Sequence, residues 1–204
     1  MVRQSQTDLN ADPAPRRGNF HHGDLRAAAL TAALAMVEAG GPEALSFRAV
    51  AVAVGVNHRA LYRHFADKHD LTLALAAQGF DRLAGVIQIG FDTDGGQARP
   101  GPLYRAYVDF ALDRPALYAL MYGISGQDYL THPALAPSVA KVTRLAGKAF
   151  RRADDPPGFS IALRDRVMRA WGEVHGLCDL WRRGALRARD VGAARAYILA
   201  LLAQ

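Results

Sequence analysis

The sequence predicts an all-α protein of about nine helices. Apolar residues recur at every third or fourth position in most segments, as they do on one face of an α-helix. No segment rich in valine and isoleucine alternates apolar and polar residues as a strand would. Glycine and proline clusters separate the periodic segments, most clearly at 40–42 and 92–101.

Length and composition fit one large domain or two small domains that share a core. The chain has 204 residues, and half of them are hydrophobic, which is enough for a substantial interior. The net charge of +6 favours a polyanionic partner without proving one, because the basic residues are spread along the chain. No apolar run approaches the roughly 18 residues of a membrane span, and no signal peptide is evident. We therefore expect a soluble cytoplasmic protein.

An arm and a helix open the chain. Residues 1–19 are rich in Gln, Asp, Pro and Arg and lack apolar periodicity, which predicts a flexible arm. Asp24 is placed to cap a helix that runs to about Ala39, where a Gly-Gly-Pro sequence ends it.

Residues 46–65 predict two short helices joined by a tight turn. Ser46 is a good N-cap for the first helix, Gly55 has the backbone freedom to end it, and Asn57 can cap the second. The predicted inward residues are apolar: Phe47, Val50, Val54, Ala60, Leu61 and Phe65. This arrangement is typical of a helix-turn-helix, whose second helix enters the major groove of DNA. An ordinary helical hairpin with a solvated basic face is the alternative.

The outward face of the second helix carries hydrogen-bond donors that suit base edges or phosphates. These residues are His58, Arg59, Tyr62 and Arg63. A packed aromatic is the alternative role for Tyr62. Arg16 and Arg17 in the arm could reach a DNA backbone or minor groove, although a solvated tail is equally compatible.

The remaining sequence predicts one long helix and five more behind it. Asp67 begins the long helix. Lys68 lies in its first turn, where a cation opposes the helix dipole, which indicates either an anionic neighbour such as phosphate or a solvated lysine. The later helices are expected over 103–112, 115–122, 133–152, 161–183 and 191–202.

Aromatic and polarizable residues in the second half predict a pocket for a mostly apolar ligand. The candidate lining residues are Phe80, Tyr107, Phe110, Tyr118, Met121, Tyr122, Trp171, His175 and Cys178. His175 is the best polar group for such a ligand, with a hydrogen-bonded core histidine as the alternative. All of these residues also fit a filled core.

Four segments resemble the TetR (tetracycline-repressor) family of bacterial transcription regulators. Residues 19–26 and 46–71 look like the lead-in to the first helix and the DNA-binding signature of that family. Residues 113–123 and the Trp171-Gly172-Glu173-Val174-His175-Gly176 sequence resemble the branch with a Trp-His-Gly motif in its C-terminal domain. Arg59 departs from the pattern, because relatives usually carry glycine or alanine there.

The resemblance implies an arm over 1–19, a helix-turn-helix DNA-binding domain over 20–66, and a ligand-binding and dimerisation domain over 67–204. It implies a homodimer, joined through the last two helices as a four-helix bundle. The dimer would place its recognition helices about one DNA turn apart, roughly 34 Å, on a palindromic operator. A small, mostly apolar effector would tilt the long helix and release a repressed promoter.

The same resemblance distributes the DNA contacts. Asn57, His58 and Arg59 are expected to meet base edges, which choose the sequence. Phosphate contacts are expected from Arg48, Tyr62, His64 and Lys68, and Ser46 belongs to the same interface. A hydrogen bond inside the domain is the alternative for His64.

Two other functions fit less well: a constitutive DNA-binding protein without an effector, and an all-helical enzyme. No catalytic residue or cofactor is expected, because Glu173 and His175 lack a His-Glu-x-x-His pattern. No metal site is expected either. The single cysteine, Cys178, excludes an internal disulfide and reads as a small buried residue, with a redox sensor as the alternative.

Overall fold

The computed structural model describes residues 24–204, and in this range every regular element is helical. The helices are α1 (Asp24–Gly40), α2 (Phe47–Ala53), α3 (His58–Leu61), α4 (Lys68–Thr93), α5 (Pro100–Asp113), α6 (Pro115–Tyr122), α7 (Asp128–Thr131), α8 (Leu135–Phe150), α9 (Ile161–Arg182) and α10 (Val191–Leu202), with a 3₁₀ turn at Pro42–Ala44. The all-α prediction is confirmed. The helix beyond the nine expected is α7, a single turn that is too short to show periodicity.

Helices α1–α3, with the segments that join them, form residues 24–66 and are called the head. The predicted caps are present: Ser46 Oγ accepts a hydrogen bond from the Ala49 amide at 3.3 Å, and Asn57 Oδ1 accepts one from the Arg59 amide at 2.9 Å. Gly55 has a φ of 72°, and the amides of Gly55 and Val56 each donate at 3.0 Å to carbonyls of the last turn of α2. That pattern is a Schellman motif, which only a residue tolerant of positive φ completes without strain.

The inward residues of the head are buried as predicted. Val50 and Leu61 have no exposed surface, Phe65 is almost fully buried, and the Arg26 guanidinium lies over the Phe65 ring at 5.2 Å. Phe47, Val56 and Ala60 are half-buried against the same core. The packing fixes α3 with its opposite face turned to solvent.

Residues 67–204 are called the body, and the 26-residue α4 is its first helix. Asp67 caps it as predicted, with Oδ1 accepting from the Asp70 amide at 2.8 Å. Helices α5, α6 and α8 pack along α4, and α10 packs on α5 and α9. The hydrophobic core runs without interruption from Leu25 in α1 to Ile198 in α10, so the boundary expected near residue 67 is not a gap in packing.

Two helices differ from their expected bounds by two residues or more. Helix α5 begins at Pro100 instead of 103, because proline has the backbone angle of a first helical turn and needs no partner for an amide proton. Helix α8 covers 135–150 instead of 133–152. The expected arm over 1–19, with Arg16 and Arg17, lies outside the described residues, as does the Asp24 side chain. Among the described helices, none has both the length and the apolar character to cross a bilayer.

Candidate DNA-binding face and ligand cavity

The exposed side of α3 begins at its cap. Because Asn57 Oδ1 is bonded to the Arg59 amide, the Asn57 side-chain NH₂ remains as a donor at the surface. His58 and Arg59 follow in the first turn and are exposed. After Leu61 the chain continues as a tight turn in which the His64 and Phe65 amides both donate to the Leu61 carbonyl at 2.9 Å. The outward strip therefore extends beyond the four residues of α3.

The cations of this surface have no carboxylate partner among residues 24–204. They are Arg48, Arg59, Arg63 and Lys68, and all four are exposed. Lys68 is the first residue of α4, where the helix dipole disfavours a cation. The positive charge of this surface is therefore not neutralised by carboxylates of the described residues.

Tyr62 is packed on one side and exposed on the other. Its ring packs on Phe47 with 4.9 Å between centroids, and the side chain is still 55% exposed. The ring is therefore a packed aromatic, while its edge faces solvent. His64 is half-buried, and the Ser46 hydroxyl is occupied by its cap, so Ser46 contributes to the surface mainly by starting α2.

Two His–Asp pairs join the start of α4 to the α7–α8 segment. His69 Nε2 lies 3.1 Å from Asp128 Oδ2, and His132 Nε2 lies 3.3 Å from Asp70 Oδ1. Asp70 Oδ2 also accepts from the Ala66 amide at 2.8 Å. These four side chains, called the α4–α7 latch, connect the end of the head directly to the body.

A narrow apolar cavity lies inside the body, between α4, α5, α6, α8 and α9. Its volume is about 40 Å³, counted over the positions that the centre of a water-sized sphere can occupy. That is more than a single water molecule needs. Its lining residues are Phe80, Ile87, Leu103, Tyr107, Tyr122, Val139, Val142, Thr143, Ala146, Phe150, Val167, Ala170, Trp171 and Val174.

The predicted ligand residues divide into three groups around this cavity. Four of them, Phe80, Tyr107, Tyr122 and Trp171, line it. Tyr118 and His175 lie behind the lining and are bonded to it, as described below. The other three lie elsewhere: Met121 packs beside Gly79, Cys178 is buried away from the lining, and Phe110 borders an open groove between α4 and α5.

Four polar groups form one hydrogen-bonded row along the cavity wall, called the tyrosine row. Tyr107 donates to the Tyr122 hydroxyl at 2.8 Å, the Tyr107 and Tyr118 hydroxyls are 3.1 Å apart, and the Tyr118 hydroxyl is 2.6 Å from His175 Nδ1. The rings of Tyr122 and His175 also lie against each other, with centroids 4.3 Å apart. His175 is thus hydrogen-bonded in the core, and Tyr122 is the end of the row that lines the cavity.

Burial keeps this region uncharged. It raises the pKa of Tyr107, Tyr118 and Tyr122 well above their usual range, and it raises the pKa of the Cys178 thiol to about 12. Burial also lowers the pKa of His175; Asp179 opposes this shift, and Arg182 and Arg183 add to it. The cavity wall therefore offers neutral hydrogen-bonding groups rather than charges.

Helix α8 supplies five lining residues that the sequence analysis did not select. They are Val139, Val142, Thr143, Ala146 and Phe150. The available signal was the amphipathic pattern of 133–152, whose apolar face had to meet another helix. The predicted ligand residues were mainly aromatic ones, and these lie on α4, α5, α6 and α9 but not on α8.

An exposed apolar stripe runs along α9 and continues on α10. Met168, Leu180 and Tyr197 are each about half exposed. Gly172 and Gly176 lie between Met168 and Leu180 at four-residue spacing, with no heavy atom within 4 Å of the position a Cβ would occupy. The stripe has no covering element within residues 24–204. Nor does this part of the chain hold a cluster of His, Cys, Asp and Glu side chains arranged for a metal ion.

Two family models match the sequence. One, described as bacterial regulatory proteins of the tetR family, matches residues 29–75, which include α2, α3 and the start of α4. The other, described as a tetracyclin repressor-like C-terminal domain, matches residues 102–202. No curated protein matches the sequence significantly. Neither description specifies the Trp-His-Gly branch, so that branch stays a prediction.

Solved structures share the fold over nearly the whole chain. A protein of unknown function from Rhodococcus sp. RHA1 is 29% identical with a TM-score of 0.71, over 91% of this chain and 97% of that one. The multidrug binding protein EbrR, complexed with imidazole, is 25% identical with a TM-score of 0.55, over 93% and 97%. A possible TetR family transcriptional regulator from Streptomyces coelicolor A3(2), 21% identical over 87% and 96%, shares the fold with a TM-score of 0.63. Because models of one family match both the head and the body, the chain belongs to the TetR family of transcriptional regulators.

Proposed function

We propose that this regulator is a homodimeric repressor that binds a palindromic operator through α3 and leaves it when a small, mostly apolar effector enters the cavity. The observation that carries the proposal is the face of the head. Asn57, His58 and Arg59 are exposed donors at the start of a helix whose other side is locked into the core. Donors in the N-terminal turn of a recognition helix are placed to contact base edges in a major groove.

The unpaired cations around α3 support the same proposal. Phosphate contacts orient a protein on DNA, and they come from Arg, Lys and Tyr side chains and from helix N-termini. Lys68 is both a cation and the first residue of a helix, so a phosphate there would offset the unfavourable position of its charge. Arg59 can form a bidentate contact with a guanine, which a glycine or alanine at that position could not.

Dimerisation accounts for the exposed stripe on α9 and α10. Met168, Leu180 and Tyr197 would be covered by their twofold mates, and Gly172 and Gly176 would allow the two α9 helices to approach closely. A twofold interface of this kind buries the same patch on both protomers. It would also fix the separation of the two α3 helices.

The effector would act by shifting a population of two conformations, which requires different affinities for the two. The route that the contacts support runs from Tyr122 and Phe80 in the lining to Tyr129, whose ring meets Phe80 edge-on at 5.9 Å and whose hydroxyl donates to the Met121 carbonyl at 2.6 Å. Tyr129 belongs to α7, next to Asp128 of the α4–α7 latch. An effector that moves α7 would thus move the start of α4 and the end of the head.

The small volume of the cavity favours a second candidate, a constitutive regulator without an effector. EbrR, a multidrug binding protein of the same fold, supports the effector-responsive form. A thermal-shift screen with small aromatic compounds separates the two candidates. Binding to the folded state stabilises it by RT ln(1 + [L]/Kd), so the midpoint of unfolding rises with ligand concentration. A screen in which no compound raises it would favour the constitutive form.

The DNA-binding part is tested by selecting bound duplexes from a random pool and titrating the selected duplex at several salt concentrations. Affinity should fall as salt rises, with each phosphate contact contributing about −0.9 to the logarithmic slope. The double variant Arg48→Ala/Lys68→Ala should lower the slope by about 2, since each lost phosphate contact lowers it by about 1. Arg105→Ala/Lys148→Ala, which removes the same charge from exposed positions in the body, is the matched control. Equal slopes for the two double variants would contradict the assigned face.

The dimer is tested by sedimentation at micromolar concentration. Leu180→Arg places an unpaired charge in the proposed interface and should shift the protein towards monomer. Ile89→Arg is the control, because Ile89 is 64% exposed on α4, away from the stripe. A wild-type protein that sediments as a monomer would overturn the dimer.

A further inference from the structure

We infer that the tyrosine row directs a single free O–H, that of Tyr122, into the cavity, so that the effector is an apolar molecule carrying one hydrogen-bond acceptor, such as a ketone, ether or aromatic nitrogen. This inference rests on the proposed effector function of the cavity and specifies the ligand class it takes. It follows from counting the hydroxyl and imidazole protons that the row can donate.

Each tyrosine hydroxyl has one proton to donate. The heavy-atom angles of the Tyr107–Tyr122 contact favour Tyr107 as the donor and the Tyr122 oxygen as the acceptor. With Tyr107 as that donor, the 3.1 Å contact between Tyr107 and Tyr118 is made by the Tyr118 proton. With that proton used, the 2.6 Å contact between Tyr118 and His175 needs a donor on the histidine. His175 therefore carries its proton on Nδ1, and all bonds of the row run towards Tyr122.

The last group in the row has only its own proton left. The Tyr122 oxygen accepts from Tyr107, and burial raises the pKa of the Tyr122 hydroxyl, which keeps its own proton in place. Among the other lining residues, Thr143 donates its hydroxyl proton to the Val139 carbonyl of its own helix at 3.1 Å. The Tyr122 O–H is thus the uncommitted donor of an otherwise apolar lining.

A buried donor that finds no partner costs free energy, so a ligand that supplies an acceptor is favoured over one of the same shape that does not. A ligand whose only polar group is a donor would meet the Tyr122 proton head-on. This preference for acceptors depends on the direction of the row. Turning every hydrogen bond of the row around would require the proton of His175 to move from Nδ1 to Nε2.

The direction of the row is tested without any ligand by ¹⁵N NMR of histidine-labelled protein. The Tyr118→Phe variant, which removes the partner of Nδ1, identifies the His175 signals. A neutral His175 protonated on Nδ1 is the expected result. A neutral His175 protonated on Nε2 would overturn the inference, because the row would then run away from the cavity.

The ligand class is tested with acetophenone and α-methylstyrene, two probes of nearly equal shape of which only the ketone is an acceptor. In calorimetric titrations, Tyr122→Phe should weaken acetophenone by about 2- to 12-fold, the range of one neutral hydrogen bond. The affinity for α-methylstyrene should not change. Tyr104→Phe is the matched control, since Tyr104 is a buried α5 tyrosine outside the cavity lining.

The outcomes separate this inference from the function on which it rests. Equal effects of Tyr122→Phe on both probes would overturn the acceptor preference while leaving the cavity as a binding site. Failure of both probes to bind the wild-type protein would overturn the effector site together with the inference. The proposed DNA binding is tested independently by the duplex titrations.

Discussion

Arginine and lysine side chains serve different purposes in the head and in the body. On the outer face of the head and at the start of α4 beside it, Arg48, Arg59 and Lys68 meet no carboxylate among the described residues. In the body, most cations near helix ends are paired: Arg195 of α10 reaches Asp109 and Asp113 of α5, and Arg166 of α9 pairs with Asp155. These body cations fix one element to another, whereas the three near α3 make no such contact within the described residues.

Tyrosines show the same contrast. Tyr62 in the head is 55% exposed and its hydroxyl has no partner among the described residues, whereas Tyr107 and Tyr118 in the body are almost fully buried and bonded to each other. An exposed polar group of the head, such as the Tyr62 hydroxyl, can therefore be removed with little disturbance of the fold. A side chain of the cavity wall belongs both to the core and to the candidate site, so its effects on stability and on ligand binding must be measured together.

The largest expected effect tests this overlap in the body. Phe80 is 1% exposed, lines the cavity, and packs against Tyr122 and Tyr129. Phe80→Ala should lower the free energy of unfolding by about 3–5 kcal/mol, because it loses buried area and leaves a void. Chemical denaturation measures the loss. Ile89→Ala on the same helix, at a 64% exposed position, should stay within about 0.5 kcal/mol and serves as the control.

A Phe80→Ala variant as stable as the wild type would contradict this contrast, because it would show that the cavity wall does not contribute to the stability of the core. A large loss of stability on removing an exposed side chain of the head would contradict it as well. The next variant therefore changes a head residue that is expected to affect DNA binding without affecting stability.

Arg59→Ala should weaken operator binding by about 1–3 kcal/mol and relax the choice of base at one position if Arg59 contacts a base edge. The free energy of unfolding should change by less than about 0.5 kcal/mol, since Arg59 is exposed and unpaired among residues 24–204. Titration of matched and single-substituted operators measures the first quantity. Arg105→Ala, at an exposed site on α5, controls for the loss of one positive charge. Unchanged operator affinity would remove the base contact from Arg59.

The head was the more predictable region because its signals are local. Ser46, Gly55, Asn57 and Asp67 act on backbone groups within three or four residues, so their roles follow from spacing alone. The family resemblance added an expectation of which face meets DNA. The four-residue length of α3 did not follow from the sequence, since the outward pattern continues through the turn to His64.

The cavity was less predictable because it depends on packing between distant segments. Three of the candidate ligand residues, Tyr107, Tyr122 and Trp171, line the cavity. No local sequence pattern distinguishes them from Phe110 and Cys178, which have similar character but are not among the lining residues. The latch was missed for the same reason, since Asp70 and His132 are paired across 62 positions by the fold alone.

The latch supports a third prediction of intermediate size. Asp70→Asn keeps an oxygen for the Ala66 amide but removes the charge that holds His132, so the link between head and body should weaken by about 1–2 kcal/mol. Native-state hydrogen exchange at the Ala66 and Leu71 amides measures the local opening. Asp92→Asn, near the other end of α4, is the control. Equal protection in both variants would show that the latch does not restrain the head.

The smallest expected effect separates the two roles of Tyr62. Tyr62→Phe keeps the ring on Phe47 and removes only the hydroxyl, so DNA binding should weaken by about 0.5–1 kcal/mol with no change in stability. The loss should be the same for operator and random duplexes, because a phosphate contact carries no sequence information. Tyr62→Ala also loses the aromatic pair and should lower the free energy of unfolding by a further 0.5–1.5 kcal/mol or so. If Tyr62→Phe binds DNA as the wild type does while Tyr62→Ala is destabilised, Tyr62 is a packing residue, and the head then contains one side chain that behaves like those of the body.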